Sequence, residues 1–220
     1  MKFTFVTLCY NRKKHLDNCL KAIYDQGSSE IEMIVVSDGG EDFSDVAEKY
    51  GAQYYTTKEP YGSLIGVNIG IRKAKGEYVI ITEADRVVEK DFLKKLSLAI
   101  KEHPFALFAS TSGRVGFKPE GGIWSPLHCV KKSFLMEIGG YDERSRGYQA
   151  EDIDLVNRLK VAGLQQYWIG ADVQHQPHLR RDQSREIRNG LWVDRINIYV
   201  DNEKNNRIIV NEGKEWGLHI

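Results

Sequence analysis

Short apolar runs alternate with helical patches through the first half of the chain. Phe3 to Leu8 is a β-rich run. Leu16, Cys19, Leu20, Ile23 and Tyr24 then recur at helical spacing to about Gln26, with Asn11 placed to cap that helix. Ile31 to Val36 is an apolar run, broken only by Glu32, and ends in Ser37-Asp38-Gly39-Gly40. Continuous apolar runs suit strands buried on both faces, as in parallel sheets. Phe43, Val46, Ala47 and Tyr50 mark a short helix, Ala52 to Thr57 a strand, Leu64 to Ala74 a helix and Glu77 to Thr82 a strand. Asp91 to Glu102 and Phe105 to Ser110 repeat the pair. This alternation predicts βαβ units and a mostly parallel α/β sheet flanked by helices. Ligands of such sheets bind beyond the carboxyl ends of the strands, where Tyr10-Asn11, Asp38 and Glu83-Ala84-Asp85 stand.

Beyond about residue 110 the pattern loosens. Residues 113–126, rich in glycine and proline, read as a loop or hairpin, and helices follow at about 131–138 and 151–162. The segment from Asn202 onward is polar and reads as mobile or as a contact for another subunit.

Composition removes several function classes. Lys plus Arg and Asp plus Glu are 31 each, so the cationic excess that a general nucleic-acid binder needs is missing. No stretch approaches the roughly 20 apolar residues of a membrane span, and the first residues turn polar too soon for a signal sequence. Cys9, Cys19 and Cys129 are an odd set without metal spacing, which predicts reduced, packed thiols in a cytoplasmic protein.

Candidate chemistry sits at five places. Glu83 and Asp85 end an apolar strand and, two residues apart, can face one ligand. Two carboxylates there suit a divalent cation that clamps a diphosphate; two solvated acids in a turn fit the spacing too. Glu151 and Asp152 open a helix whose stripe is Leu155, Val156, Leu159 and Ala162. Acids at that end cap the helix, and a general base on a rigid element fits equally. His175 and His178 flank a Gln-Pro turn. They are structural, or one of them completes the shell begun by Glu83 and Asp85; mixed oxygen and nitrogen ligation favours Mn²⁺ over Mg²⁺. Trp124 either packs or stacks on an acceptor sugar. Arg180, Arg181, Arg185 and Arg188 form a solvated face with Asp182 and Glu186, or a segment that closes over a diphosphate or touches an anionic membrane surface.

These motifs, in this order, resemble the inverting glycosyltransferases of family two, which have the GT-A fold. The residues that carry the likeness are Thr7-Leu8-Cys9-Tyr10-Asn11-Arg12, Val35-Val36-Ser37-Asp38-Gly39-Gly40, Asn68-Ile69-Gly70, Ala74-Lys75-Gly76-Glu77-Tyr78, Glu83-Ala84-Asp85, Gly139-Gly140-Tyr141-Asp142-Glu143 and Glu151-Asp152. The later motifs also look like the galactosyl- and N-acetylgalactosaminyltransferase branch. The resemblance implies one domain over 1–220: a nucleotide-sugar half at 1–110, an acceptor and catalytic half at 111–180, and a helical extension at 181–220. It implies metal-dependent, inverting transfer from a nucleotide diphosphosugar, UDP-linked, to a hydroxyl of a glycan, a lipid-linked sugar or a protein.

By the same resemblance Leu8, Cys9, Tyr10 and Asn11 line the nucleoside pocket, and Asp38 accepts from the base N3–H. Asn68 shapes the pocket wall, and Glu83, Ala84 and Asp85 stand at the family's Asp-x-Asp motif. Asp85 binds the metal, joined by His175, with Glu83 and His178 as further candidates. Asp152 is the catalytic base, Glu151 holds a sugar or acceptor hydroxyl, and Gly140 and Tyr141 join Trp124 on the acceptor side. Glu83 departs from the usual first Asp by one methylene, and Leu8 replaces a common proline or threonine.

Three rivals share the fold class. A sugar nucleotidyltransferase has a glycine-rich basic loop after its first strand, where this chain has Cys9-Tyr10-Asn11-Arg12. A dinucleotide oxidoreductase needs G-x-G-x-x-G there. A non-catalytic nucleotide- or carbohydrate-binding protein draws its support from Glu83 and is opposed by Asp85, Asp152 and His175.

Overall fold

The computed structural model describes residues 1–59, 61–112, 125, 127–145, 151–178 and 197–218, without the side chains of 63, 111 and 112. Its frame is an eight-stranded sheet in the order β3-β2-β1-β4-β7-β6-β8-β5. The strands are β1 (Phe3–Cys9), β2 (Ile31–Ser37), β3 (Gln53–Thr56), β4 (Tyr78–Glu83), β5 (Arg86–Val88), β6 (Ala106–Ser112), β7 (His128–Lys131) and β8 (Gln165–His175). β1, β2, β3 and β4 are parallel, β7 runs antiparallel between β4 and β6, and β5 runs antiparallel on β8.

All seven residues of β1 are buried, because helices cover both faces of the sheet. Phe3, Phe5 and Cys9 point into one core with Leu16, Leu20 and Ile23 of α1 (Lys13–Tyr24) and Phe92 and Leu96 of α4 (Phe92–Glu102). Val6 and Leu8 point into the other. They meet Ile69 and Ile71 of α3 (Ser63–Lys73), Leu135 of α5 (Lys132–Glu137), and Leu155 and Leu159 of α6 (Glu151–Val161). α2 (Ser44–Lys49) adds Val46 and Ala47 to the first core. At Gly70 α3 lies so close to β1 that any Cβ would overlap Val6, which fixes the helix against the strand.

Several expectations need correction. Asn11 does not cap α1; it takes φ +49° and its Oδ1 accepts from the Glu41 N–H at 3.1 Å, leaving Arg12 at the cap position. β5 and β7 lie beyond the expected strands. Both are short and are held by partners far away in sequence. The polar segment 197–218 is folded onto its own chain: residues 197–204 are helical, Val210 N–H donates to Ile138 C=O at 3.0 Å, and Trp216 is buried in the second core. Cys9, Cys19 and Cys129 are buried free thiols, as their spacing predicts. Among the described residues no helix is long and apolar enough to cross a membrane.

Candidate active site

Three strand ends meet at one edge. Cys9 stands opposite Ser37, and Leu8 opposite Glu83. The ladders run one residue further, with Asp38 N–H donating to Cys9 C=O at 3.1 Å and Ala84 N–H to Leu8 C=O at 2.9 Å. After Glu83 the chain turns at Ala84-Asp85 and enters β5, where Arg86 pairs with His175. That pairing carries the end of β8 to the acidic turn.

Asp85 is buried, and four cationic or imidazole groups surround it. Its Oδ2 lies 2.8 Å from His178 Nε2, 3.4 Å from His175 Nε2 and 2.5 Å from Arg12 Nη1. Arg86 Nε approaches Oδ1 at 3.3 Å, and that oxygen makes no hydrogen bond among the described residues. One ligand atom each from Asp85, His175 and His178 falls within 4.8 Å of the others, the spacing of a cation site. Both histidines therefore reach Asp85, although the rigidity of Pro177 suggests only one.

Glu83 does not join that group. Its side chain keeps 46% of its surface and turns to Arg86 Nη2 at 3.5 Å. Desolvation by the cleft, then the charges of Asp85 and Asp152, push its carboxyl up, against the pull of Arg86 and Arg12. Asp152 is half-buried, and its Oδ1 accepts from Tyr141 Oη at 3.1 Å. Burial, then the Asp152 charge, holds the Tyr141 hydroxyl well above its usual pKa, so it stays a donor. Glu151 lines a narrow crevice with Leu64, Ser145 and Tyr199.

Asn68, Gly140 and Tyr141 lie together. Asn68 is fully buried. Its amide donates to Tyr141 C=O and Glu143 Oε1, each at 2.9 Å, and accepts from Tyr141 N–H at 2.9 Å. It clamps the segment before α6. Gly140, at φ +68°, is packed so tightly that a Cβ would lie 2.5 Å from Asn68 Oδ1 and 2.8 Å from the Trp216 ring. Tyr141 is largely buried, lines the same crevice as Glu151 and donates its hydroxyl to Asp152. Trp124 and the four arginines of 180–188 lie outside the described residues.

On the nucleoside side, Leu8, Cys9 and Ala84 are buried, leaving their backbone and the half-buried Tyr10 at the strand ends. Burial pushes the Cys9 thiol up to about 12, so it stays neutral. Asp38 accepts from Tyr61 N–H at 2.9 Å and from Gly62 N–H at 2.9 Å, ordering the entry to α3. Burial pushes its carboxyl up, against those bonds.

The sequence model of Glycosyl transferase family 2 matches residues 4–156, from the first strand into α6. The chain belongs to glycosyl transferase family 2. Among curated relatives, Glycosyltransferase GlyA of Streptococcus pneumoniae is 29% identical over 46% of this chain, and GlyG of the same organism 30% over 42%. The chain spans 15% and 33% of their lengths. Residues 1–349 of S. aureus TarS superpose with a TM-score of 0.69 at 16% identity, over 94% of this chain and 74% of that one. The mannosyltransferase PcManGT of Pyrobaculum calidifontis, solved with GDP-Man and Mn²⁺, gives 0.70 at 18%, over 91% and 64%. At these identities the likeness is one of fold, and that fold is GT-A.

Sequence reasoning missed a polar network behind the site of this family 2 chain. Arg158 donates to Asp154 Oδ2 at 2.8 Å and to Gly140 C=O at 2.9 Å. Asn202 donates to Asp154 Oδ1 at 2.9 Å and Asp142 Oδ2 at 3.1 Å, while Arg144 grips Asp142. Asn211 donates to the carbonyls of Gly139 and Tyr141 at 2.8 and 2.7 Å. The one available signal is Gly139-Gly140, whose left-handed turn frees carbonyls that need donors.

Proposed function

We propose that the protein transfers a sugar, with inversion, from a nucleoside diphosphosugar of the UDP type to a hydroxyl acceptor, assisted by a divalent cation and with Asp152 as general base. The observation that carries this reading is the grouping of Asp85, His175 and His178 at the acidic turn, with Asp152 at the start of α6 accepting from the buried Tyr141 hydroxyl. Family membership supports the reaction class. TarS has been solved with UDP-GlcNAc, and GalNAc-T7 with UDP, GalNAc and Mn²⁺, which supports a UDP donor and a metal.

The donor set fits a cation. One carboxylate with two imidazoles suits Mn²⁺ better than Mg²⁺. Asp85 Oδ1, buried and without a hydrogen bond among the described residues, has a lone pair to give. Asp85, His175 and His178 would hold the ion, which would offset the charge growing on the diphosphate.

The remaining chemistry belongs to the protein. The acceptor oxygen bonds to the anomeric carbon while its proton passes to Asp152. The bond to the diphosphate breaks and its electron pair leaves with that group, so configuration inverts. Tyr141 holds one Asp152 oxygen, which leaves the other to take the proton. General-base help of this kind is worth about 10²–10⁴ in rate. Tyr10, Asn11, Glu83 and the backbone of Leu8, Cys9 and Ala84 face the donor, and Asp38 orders its rim. Residues 1–110 form the donor half, and Glu151 with the later segments forms the acceptor half.

A thermal-shift panel of nucleotide sugars, with and without Mn²⁺, tests the reading. A UDP-sugar should raise the midpoint, and more so with Mn²⁺, because a ligand that binds only the folded state stabilises it. No shift with any nucleotide sugar would contradict it.

A further inference from the structure

Two imidazoles three residues apart reach the same carboxylate oxygen only if the turn between them is fixed against the acidic turn. The residue that does this is Gln176. Its N–H donates to Asp85 C=O at 2.8 Å, extending the β5–β8 ladder one step past His175. Its side-chain amide donates to Ala84 C=O at 3.2 Å and to His15 C=O of α1 at 3.0 Å. Its amide oxygen accepts from Asn18 Nδ2, also on α1, at 2.7 Å. One side chain thus ties three segments together: the acidic turn, the histidine turn and α1. α1 also meets the histidine turn directly, through His15 Nε2 at 3.2 Å from Pro177 C=O.

We infer that Gln176, oriented by Asn18, is a positioning residue that sets the distance between Asp85 and the two histidines, and so the affinity of the cation site. This rests on the metal reading above. A glutamine that merely satisfied two turn carbonyls would affect stability alone. The geometry is more specific. Ala84 C=O immediately precedes the Asp85 ligand, and the amide belongs to the residue immediately after His175. Without those donors nothing else on Gln176 but its N–H holds the two ligand segments at one spacing. Groups that orient metal ligands from behind are commonly worth 10–100-fold in affinity.

Two variants separate the roles. Gln176→Met keeps length, neutrality and the N–H to Asp85, and removes both side-chain donors. Asn18→Ala, at an exposed helical position, removes only the bond that orients the amide. Mn²⁺ affinity is read by electron paramagnetic resonance of the free ion, with the thermal midpoint taken in EDTA. Gln176→Met should weaken binding about ten-fold or more. Asn18→Ala should weaken it about three-fold, the scale of one modest hydrogen bond, with an unchanged midpoint in EDTA. Wild-type binding together with unchanged affinity in the variants overturns the inference and leaves the cation site standing. If Gln176→Met does not fold, Asn18→Ala decides by the same criterion. Absence of Mn²⁺ binding by the wild type overturns the metal reading and this inference together.

Discussion

Arg12 and His178 approach the same oxygen of Asp85, at 2.5 and 2.8 Å. A guanidinium and an imidazole proposed to hold the cation therefore share one buried carboxylate. A hydrogen bond to a charged group is worth about 1.5–3 kcal/mol. A cation on Asp85 works against that bond, so Arg12→Gln should bind Mn²⁺ about ten-fold more tightly by calorimetry. Weaker binding in the variant would mean that Arg12 supports the ion instead of competing with it.

Tyr141 and Asp152 form the next pair. Tyr141→Phe removes the donor to Asp152 and leaves the buried ring in place. Transfer should fall about ten-fold in kcat, with little change in donor KM. A rise in donor KM at constant kcat would move Tyr141 from orienting the base to shaping the donor site.

The Asp154–Arg158 pair is almost solvent-free, with 9% and 4% of the side chains exposed. Removing one partner of a buried pair leaves an uncompensated charge and costs about 3–5 kcal/mol. Arg158→Ala also strips a donor from the carbonyls of Ile138 and Gly140. Urea denaturation should show a loss of that size. A loss under about 1 kcal/mol would place the pair with exposed ones.

Asp142 gives a pH dependence with a definite sign. Burial alone would raise its carboxyl, but bonds from Arg144 and Asn202 outweigh that and hold it below 3.8. A carboxyl lowered on folding contributes stability above its unfolded pKa and loses it as pH falls through the folded value. The midpoint gap between wild type and Asp142→Asn should be full at pH 6 and shrink below about pH 4. A gap that widens on acidification would reverse the sign.

Much of the fold was legible because β1, β2 and β4 are buried on both faces and read as apolar runs. β5 and β7 were not, since three or four residues carry no period and their pairing is long-range. At the site, the grouping of Asp85 with the two histidines was legible from residue type and order. Asn202, Asn211 and Gln176 were not. Short polar side chains read as surface, yet here they are spent on backbone carbonyls and acids inside the molecule. Gly140 was placed on the acceptor side by resemblance; in the structure it is packed against Asn68 and Trp216.

The most direct test of the central claim is release of nucleoside diphosphate from UDP-sugars, with acceptor hydroxyls supplied, by wild type and Asp152→Asn in Mn²⁺ and in EDTA. The account predicts release by the wild type in Mn²⁺, almost none in EDTA, and a loss of about 10²-fold or more in Asp152→Asn. Equal rates in EDTA, or normal release by a folded Asp152→Asn protein, would contradict it.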